Sequence, residues 1–133
     1  MGLKTMGRFV YDSATASAVD AGGNLPFPSA TTAGCLSCDG ETVTISQAGV
    51  YLVDVNATLA ATEAGTVETQ LYRNGNAVPG AHAYSTAAAE GDFEAQALST
   101  VLSVPRYGQA TVNVKAVEAV DVVVANLLVV KLA

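Results

Sequence analysis

The chain has 133 residues, half of them hydrophobic and 14% charged, with a net charge of −6 from twelve acidic and six basic side chains. That length suits one domain, which on folding buries roughly 68% of the surface its unfolded chain exposes, and that charge excludes a sequence-independent grip on nucleic acid or on an anionic membrane. Charged residues fall well below the roughly 25% of an average domain, so the expectation is a β protein that covers part of its surface by self-association.

Residues 1–10 hold two of the six cations, Lys4 and Arg8, and no apolar run of secretion-leader length. They are read as an N-terminal arm with the start of a first strand at Gly7 to Tyr11, made in the cytoplasm, with residues 11–133 forming the domain. Asp12 to Asn24 is small and polar with a Gly-Gly pair, which predicts a loop. In Leu25-Pro26-Phe27-Pro28 the prolines exclude helix and favour an extended edge, with Leu25 and Phe27 pointing into the core.

Thr32 to Cys38 is a short candidate strand, and the Asp39-Gly40 turn leads into Glu41 to Ser46, where Val43 and Ile45 alternate with polar residues. Ala48 to Leu59 reads as the central strand. Tyr51, Val53, Val55, Ala57 and Leu59 share one face at period two, and Asp54, Asn56 and Thr58 share the other with Val50 and Leu52. Thr66 to Arg73 alternates again, and Asn74-Gly75 is a strong hairpin signal. The next segment passes His82 and Tyr84 to Ala87-Ala88-Ala89, a run too short to hold a helix by propensity.

Phe93 to Val104 is a second long strand, with Leu98, Leu102 and Val104 on one face and Phe93, Ala95, Ala97 and Val101 on the other. Ala110 to Val117 alternates, and Val122 to Leu132 closes the chain, apolar on both faces. At about eleven residues that last run is short of the roughly 20 a membrane helix needs, and a strand with two apolar faces requires cover on both. One cover is the domain's own core; the other is most simply a second copy, which makes Val124, Leu128 and Val130 candidate interface residues. Eight or so strands with regularly spaced turns predict an all-β antiparallel β-sandwich of jelly-roll type.

Chemical constellations are sparse. Across Cys35-Leu36-Ser37-Cys38 an extended chain sets the two α-carbons about 10 Å apart, beyond disulfide reach. A pair of reduced thiols is the first reading, with a disulfide at the adjoining turn and a zinc shared between copies as alternatives. His82, Ser85 and Asp92 can be named as base, nucleophile and acid, but no Gly-x-Ser-x-Gly elbow surrounds the serine, so no catalytic site is expected. Asp39, Glu41, Glu90, Asp92 and Glu94 gather in two turns; a solvated acidic rim is preferred to a calcium site. Tyr72, Tyr84 and Tyr107 lie in or beside turns, where exposed rings stack on sugars or simply cover a sheet. Phosphate-loop and dinucleotide signatures are missing, and no cofactor is expected.

Four segments in order carry a resemblance. Gly23-Asn24-Leu25-Pro26-Phe27, Thr42-Val43-Thr44-Ile45 with Ala48-Gly49-Val50-Tyr51, Leu71-Tyr72-Arg73-Asn74-Gly75-Asn76-Ala77-Val78-Pro79-Gly80, and Leu127-Leu128-Val129-Val130-Lys131-Leu132 together resemble the tumour-necrosis-factor-like and complement-globular-head jelly rolls, in particular their bacterial and phage branch typified by the C-terminal domain of the exosporium protein BclA. The resemblance implies a homotrimer whose apolar central faces meet on a threefold axis, adding Tyr51 and Val53 to the interface residues, and a structural or adhesive function. The collagen-like stalk of BclA-like proteins is not found. By analogy the expected role is a non-enzymatic virion surface, capsid-decoration or short head-fibre protein of a phage or prophage. Its arm would dock through Lys4, Met6 and Arg8 onto a major capsid protein or other virion component. The alternative is an adhesin tip that binds a host surface glycan or receptor.

Overall fold

The computed structural model describes residues 4–133, in which ten strands follow one another: β1 (Met6–Val19), β2 (Ser29–Ala33), β3 (Leu36–Cys38), β4 (Val43–Ile45), β5 (Gly49–Ala61), β6 (Gly65–Arg73), β7 (Asn76–Ala87), β8 (Phe93–Val104), β9 (Ala110–Ala116) and β10 (Val120–Lys131). They form two five-stranded sheets in the orders β2-β1-β10-β5-β8 and β3-β4-β9-β6-β7. The strand pairs within them are antiparallel. The architecture is the expected β-sandwich of jelly-roll type.

Alternation explains which side chains fill it. Tyr51, Val53, Val55 and Leu59 of β5 are at most 1% exposed and meet Val112, Val114 and Leu71 of the facing sheet in one core cluster. Leu25 and Phe27 enter that cluster from the connection before β2, at 0% and 1% exposure. Their backbone is held without a full strand: Leu25 N–H donates to Val114 O at 2.8 Å and Phe27 N–H to Gly40 O at 2.6 Å.

One polar bridge crosses the core. Gln96 of β8 is 3% exposed; its Oε1 accepts the Thr69 hydroxyl of β6 at 3.0 Å, and its Nε2 donates to Ser85 Oγ at 2.9 Å and Val67 O at 3.3 Å. Each buried polar atom of that cluster therefore has a partner, which is the condition for keeping it inside.

Two backbone positions need their residues. Asn74 and Gly75 have φ of 49° and 81°, the left-handed pair of a two-residue hairpin whose twist matches the strands. Gly49 heads β5 at φ 151°, and a Cβ there would lie 2.6 Å from Ala133 O and 2.7 Å from Lys131 Cε. Only glycine lets the C-terminus lie against this point, where Val50 N–H donates to Ala133 O at 2.9 Å.

Three expectations about elements are corrected. The chain from Asp12 to Val19 continues β1, because it pairs again with β10 at Ser17↔Val122 after an irregularity following Asp12↔Val124. Tertiary pairing overrides the weak β character of Ser, Ala and Thr. The expected strand Thr32 to Cys38 is two strands, broken at Gly34, whose φ of 83° turns the chain off one sheet and onto the other. The first strand begins at Met6, one residue before the expected Gly7, and pairs with β2 and β10, so Met6 and Arg8 belong to a sheet and not to a free arm; residues 1–3 lie outside the described part.

Candidate functional site

The outward side of the β2-β1-β10-β5-β8 sheet is the surface with the least polar cover. Strand register places its side chains in rows, since directly opposed residues of antiparallel strands share a face. One row reads Ala33, Met6, Val130, Leu52, Val101 from β2 to β8, and the next Thr31, Arg8, Leu128, Asp54, Ser99. A third runs Ser29, Val10, Asn126, Asn56, Ala97, and a fourth Asp12, Val124, Thr58, Ala95. The first row is apolar across all five strands. Met6 is 43% exposed, Val101 56%, Val124 37% and, at the end of β8, Phe93 69%.

The two sides of this face differ in shape. Between β1, β2 and β10 lies a groove of about 300 Å³ lined by Met6, Gly7, Arg8, Thr31, Thr32, Ala33 and Leu128. At the opposite edge, β8 presents Phe93, Val101 and the small Ala95 and Ala97. Arg8 and Asp54 stand in one row on either side of Leu128, about 10 Å apart by strand spacing. Among the described residues neither has an ion-pair partner; the pair found is His82–Glu68.

The sequence-predicted interface residues divide. Val124, Leu128 and Val130 are on this outward face. Tyr51 and Val53 are corrected to core: both are 0% exposed and point between the sheets, so no second copy can reach them. Burial pushes the Tyr51 phenol above its ordinary pKa, and its hydroxyl donates to Gln47 O at 2.8 Å. The outward members of that strand are Leu52, Asp54, Asn56 and Thr58. Of the residues expected in a docking arm, Met6 and Arg8 belong to the outward face, and Lys4 precedes β1 as an exposed side chain. Alternation alone sets Leu52 apart from Tyr51 and Val101 apart from Leu102; their alignment with Met6 and Val130 depends on register, which no single strand reveals.

The other candidates are dispersed. Cys35, exposed, and Cys38, half-buried, are free thiols. Cys38 packs against the core, its Sγ donating to Phe27 O at 3.7 Å and accepting from Gly40 N–H at 3.4 Å. Burial, with Asp39 and Glu41 nearby, holds its thiol pKa above the usual value against the opposing Gly40 contact. His82 faces outward from β7, whereas Ser85 is half-buried and bound to Gln96, so the pair points to opposite sides of its strand and makes no catalytic dyad.

The acidic turns serve the backbone. Asp39 Oδ1 accepts Thr42 N–H at 2.8 Å and Glu41 N–H at 3.0 Å, which lowers its pKa, and Asp92 Oδ2 accepts Ala89 N–H at 3.1 Å. The Asp39 turn joins β3 to β4 at one edge of their sheet, whereas the Asp92 turn leaves β7, at that sheet's other edge, for β8 of the second sheet. Among the described residues no group of three or more His, Cys, Asp or Glu side chains is placed to hold a metal ion. Tyr107, 99% exposed at φ 63°, tips the turn after β8, while Tyr72 and Tyr84 share the outward side of the other sheet. Among the described residues no helix is long and apolar enough to cross a membrane.

No protein-family model matches the sequence, and no curated protein sequence is significantly similar to it. Solved structures do match in shape. The globular domain of zebrafish complement 1qA protein superposes with a TM-score of 0.73 at 12% identity, covering 98% of each chain. Murine APRIL at pH 5.0 gives 0.70 at 13% identity over 98% of this chain and 100% of that one. Eiger TNF from S. frugiperda gives 0.70 at 14% over 98% and 94%. The chain thus has the fold of tumour-necrosis-factor and complement-head domains; at these identities the likeness concerns fold alone.

Proposed function

We propose that this chain is a non-enzymatic structural protein that assembles as a homotrimer through the outward face of the β2-β1-β10-β5-β8 sheet and serves as a surface knob, capsid decoration or short head fibre of a phage or prophage virion. The observation that carries the assembly is the uninterrupted apolar row Ala33–Met6–Val130–Leu52–Val101. Apolar surface of this extent is a hallmark of an interaction site. With a groove on one side and the exposed residues of β8 on the other, contacts are head-to-tail, and such contacts form a ring where the rotation from copy to copy closes, as a third of a turn does. Each copy then brings its Arg8 side toward the Asp54 side of the next, a pairing of unlike charges that neither finds within its own chain. Asn56 and Asn126 add hydrogen-bonding groups to a mainly apolar contact, as is usual at subunit interfaces.

The virion role is supported by the resemblance to the BclA-like branch and by an acidic, charge-poor surface unsuited to nucleic acid or lipid. Attachment to a major capsid protein is assigned to the N-terminal end around Lys4, since Met6 and Arg8 are engaged between copies. Electron imaging of virions from the genome that encodes the chain should reveal three-lobed knobs at threefold or quasi-threefold positions, lost when the gene is deleted. Unchanged particles would refute the assignment. A second reading, an adhesin tip, is favoured by the exposed Tyr84 on the opposite sheet.

A further inference from the structure

We propose that the outward face of the β3-β4-β9-β6-β7 sheet carries a binding site for neutral oligosaccharides, built on Tyr84, His82, Glu68 and Gln70. It deepens the adhesin reading and needs from the assembly only that this sheet stay open.

Register gives the site its plan. Glu68 lies directly opposite Tyr84 and Gln70 opposite His82, so the four side chains form a two-by-two block across β6 and β7. The Tyr84 and His82 rings are 6.1 Å apart between centroids and 11° from parallel. Tyr84 is 69% exposed. Glu68 Oε2 lies 3.5 Å from His82 Nδ1 and steadies the imidazole. Gln70 is locked from below: its Nε2 donates to Leu71 O and Val78 O at 2.9 Å and to Ala81 O at 3.2 Å, and its Oε1 has no partner among the described residues. Lys115, opposite Gln70 on β9, holds its Nζ 4.8 Å from the centroid of Tyr72 and extends the block by a third ring.

Parallel exposed rings offer apolar faces to the C–H side of a pyranose, while fixed carboxylate and amide oxygens accept its hydroxyls. Glu68, His82 and Gln70, already tied to one another or to the backbone, lose little freedom on binding. Two carboxylates, Glu68 and the neighbouring Glu118, outnumber the one cation of the block, Lys115, so acidic sugars are repelled and the ligand is neutral. A peptide adding to β7 as a further strand is disfavoured, because Pro79 and a register shift between Gln70 and Tyr72 break the first half of that strand. Its second half is tied toward β8 by Gln96 and Ser85.

The full chain is tested against immobilised neutral hexose oligosaccharides beside their sialylated counterparts. Retention of neutral forms is expected. Tyr84→Ala should weaken it by about tenfold or more, equivalent to ~1.4 kcal/mol, with an unchanged melting temperature, and Glu68→Gln should reduce the preference for neutral over sialylated forms. Tyr107→Ala, removing a still more exposed tyrosine elsewhere, should leave binding intact. Failure to retain any neutral oligosaccharide, a preference for sialylated forms, or equal losses from Tyr84→Ala and Tyr107→Ala would overturn the proposal. Light scattering reads the assembly separately: a monomer that still binds sugar removes the trimer and keeps this site.

Discussion

Val130→Asp tests the assembly most cleanly. Val130 faces outward in the apolar row between Met6 and Leu52, with no cation in its row to offset a new carboxylate. In an isolated chain the position is a partly exposed site on an inner strand, where Asp in place of Val costs about 1 kcal/mol. Inside an interface, each copy would bury an unpaired charge, at no less than about 3 kcal/mol. Three copies bring this to roughly 9 kcal/mol, which at 1.4 kcal/mol per factor of ten weakens trimerisation by about six orders of magnitude. Light scattering across a dilution series should therefore give three times the 13.4 kDa chain mass for the wild type and a single chain mass for the variant. Near-identical circular dichroism should show that the variant's sandwich is intact. A monomeric wild type, or a variant of unchanged mass and melting temperature, would refute the reasoning.

Three further outcomes are expected. Gln96→Leu should lower stability by about 2 kcal/mol, because Val67 O and the Thr69 hydroxyl lose their buried partner; an unchanged denaturation midpoint would remove the bridge from the account. Glu118 has one carboxylate oxygen, Oε2, out of contact with solvent and without a partner, and burial, then Glu68, raises its pKa above 4.5. The folded state thus holds the proton more tightly than the unfolded one, so the group's favourable contribution is full below pH 4.5 and is lost as pH rises through the folded value. Glu118→Gln should accordingly match the wild type in acid and exceed its melting temperature at neutral pH; a benefit confined to acid would contradict this. Finally, iodoacetamide should modify exposed Cys35 before Cys38, whose thiol is held protonated by burial; equal rates by mass spectrometry would argue against the packing of Cys38.

The strands that proved legible are those with one polar and one apolar face. Phe93 to Val104 and Thr66 to Arg73 could be read almost to the residue because solvent and core impose period two on them, and Asn74-Gly75 could be read because few other pairs adopt its backbone. Ser13 to Ala18 gave no such signal. Its side chains are small and mostly exposed, and what makes the ends of that stretch strand is the ladder to β10, formed with residues more than a hundred positions away. Ser29–Ala33 was hidden for the same reason, being an edge strand with nothing to bury.

The interface face was half legible, and the missing half is a matter of parity. Val122 to Leu132 announces that both its faces are covered, but being apolar on both it cannot say which residues meet the core. Tyr51 and Val53 are assigned to the interface by the resemblance, which sets apolar central faces on a threefold axis, whereas the period-two alternation of β5 sends both into the core with Val55 and Leu59. The outward side of β5 mixes Leu52 with Asp54, Asn56 and Thr58, a composition that suits a surface meeting its own copy better than one packed for good inside a domain. Arg8 and Asp54 sharpen the point. A charge placed on either side of Leu128 would be a liability in a core, yet in a ring of identical copies it fixes which side of one subunit faces which side of the next. In the proposed assembly the low overall charge is then no deficit: Arg8 and Asp54, in one row of this face, are the pair that would set its direction.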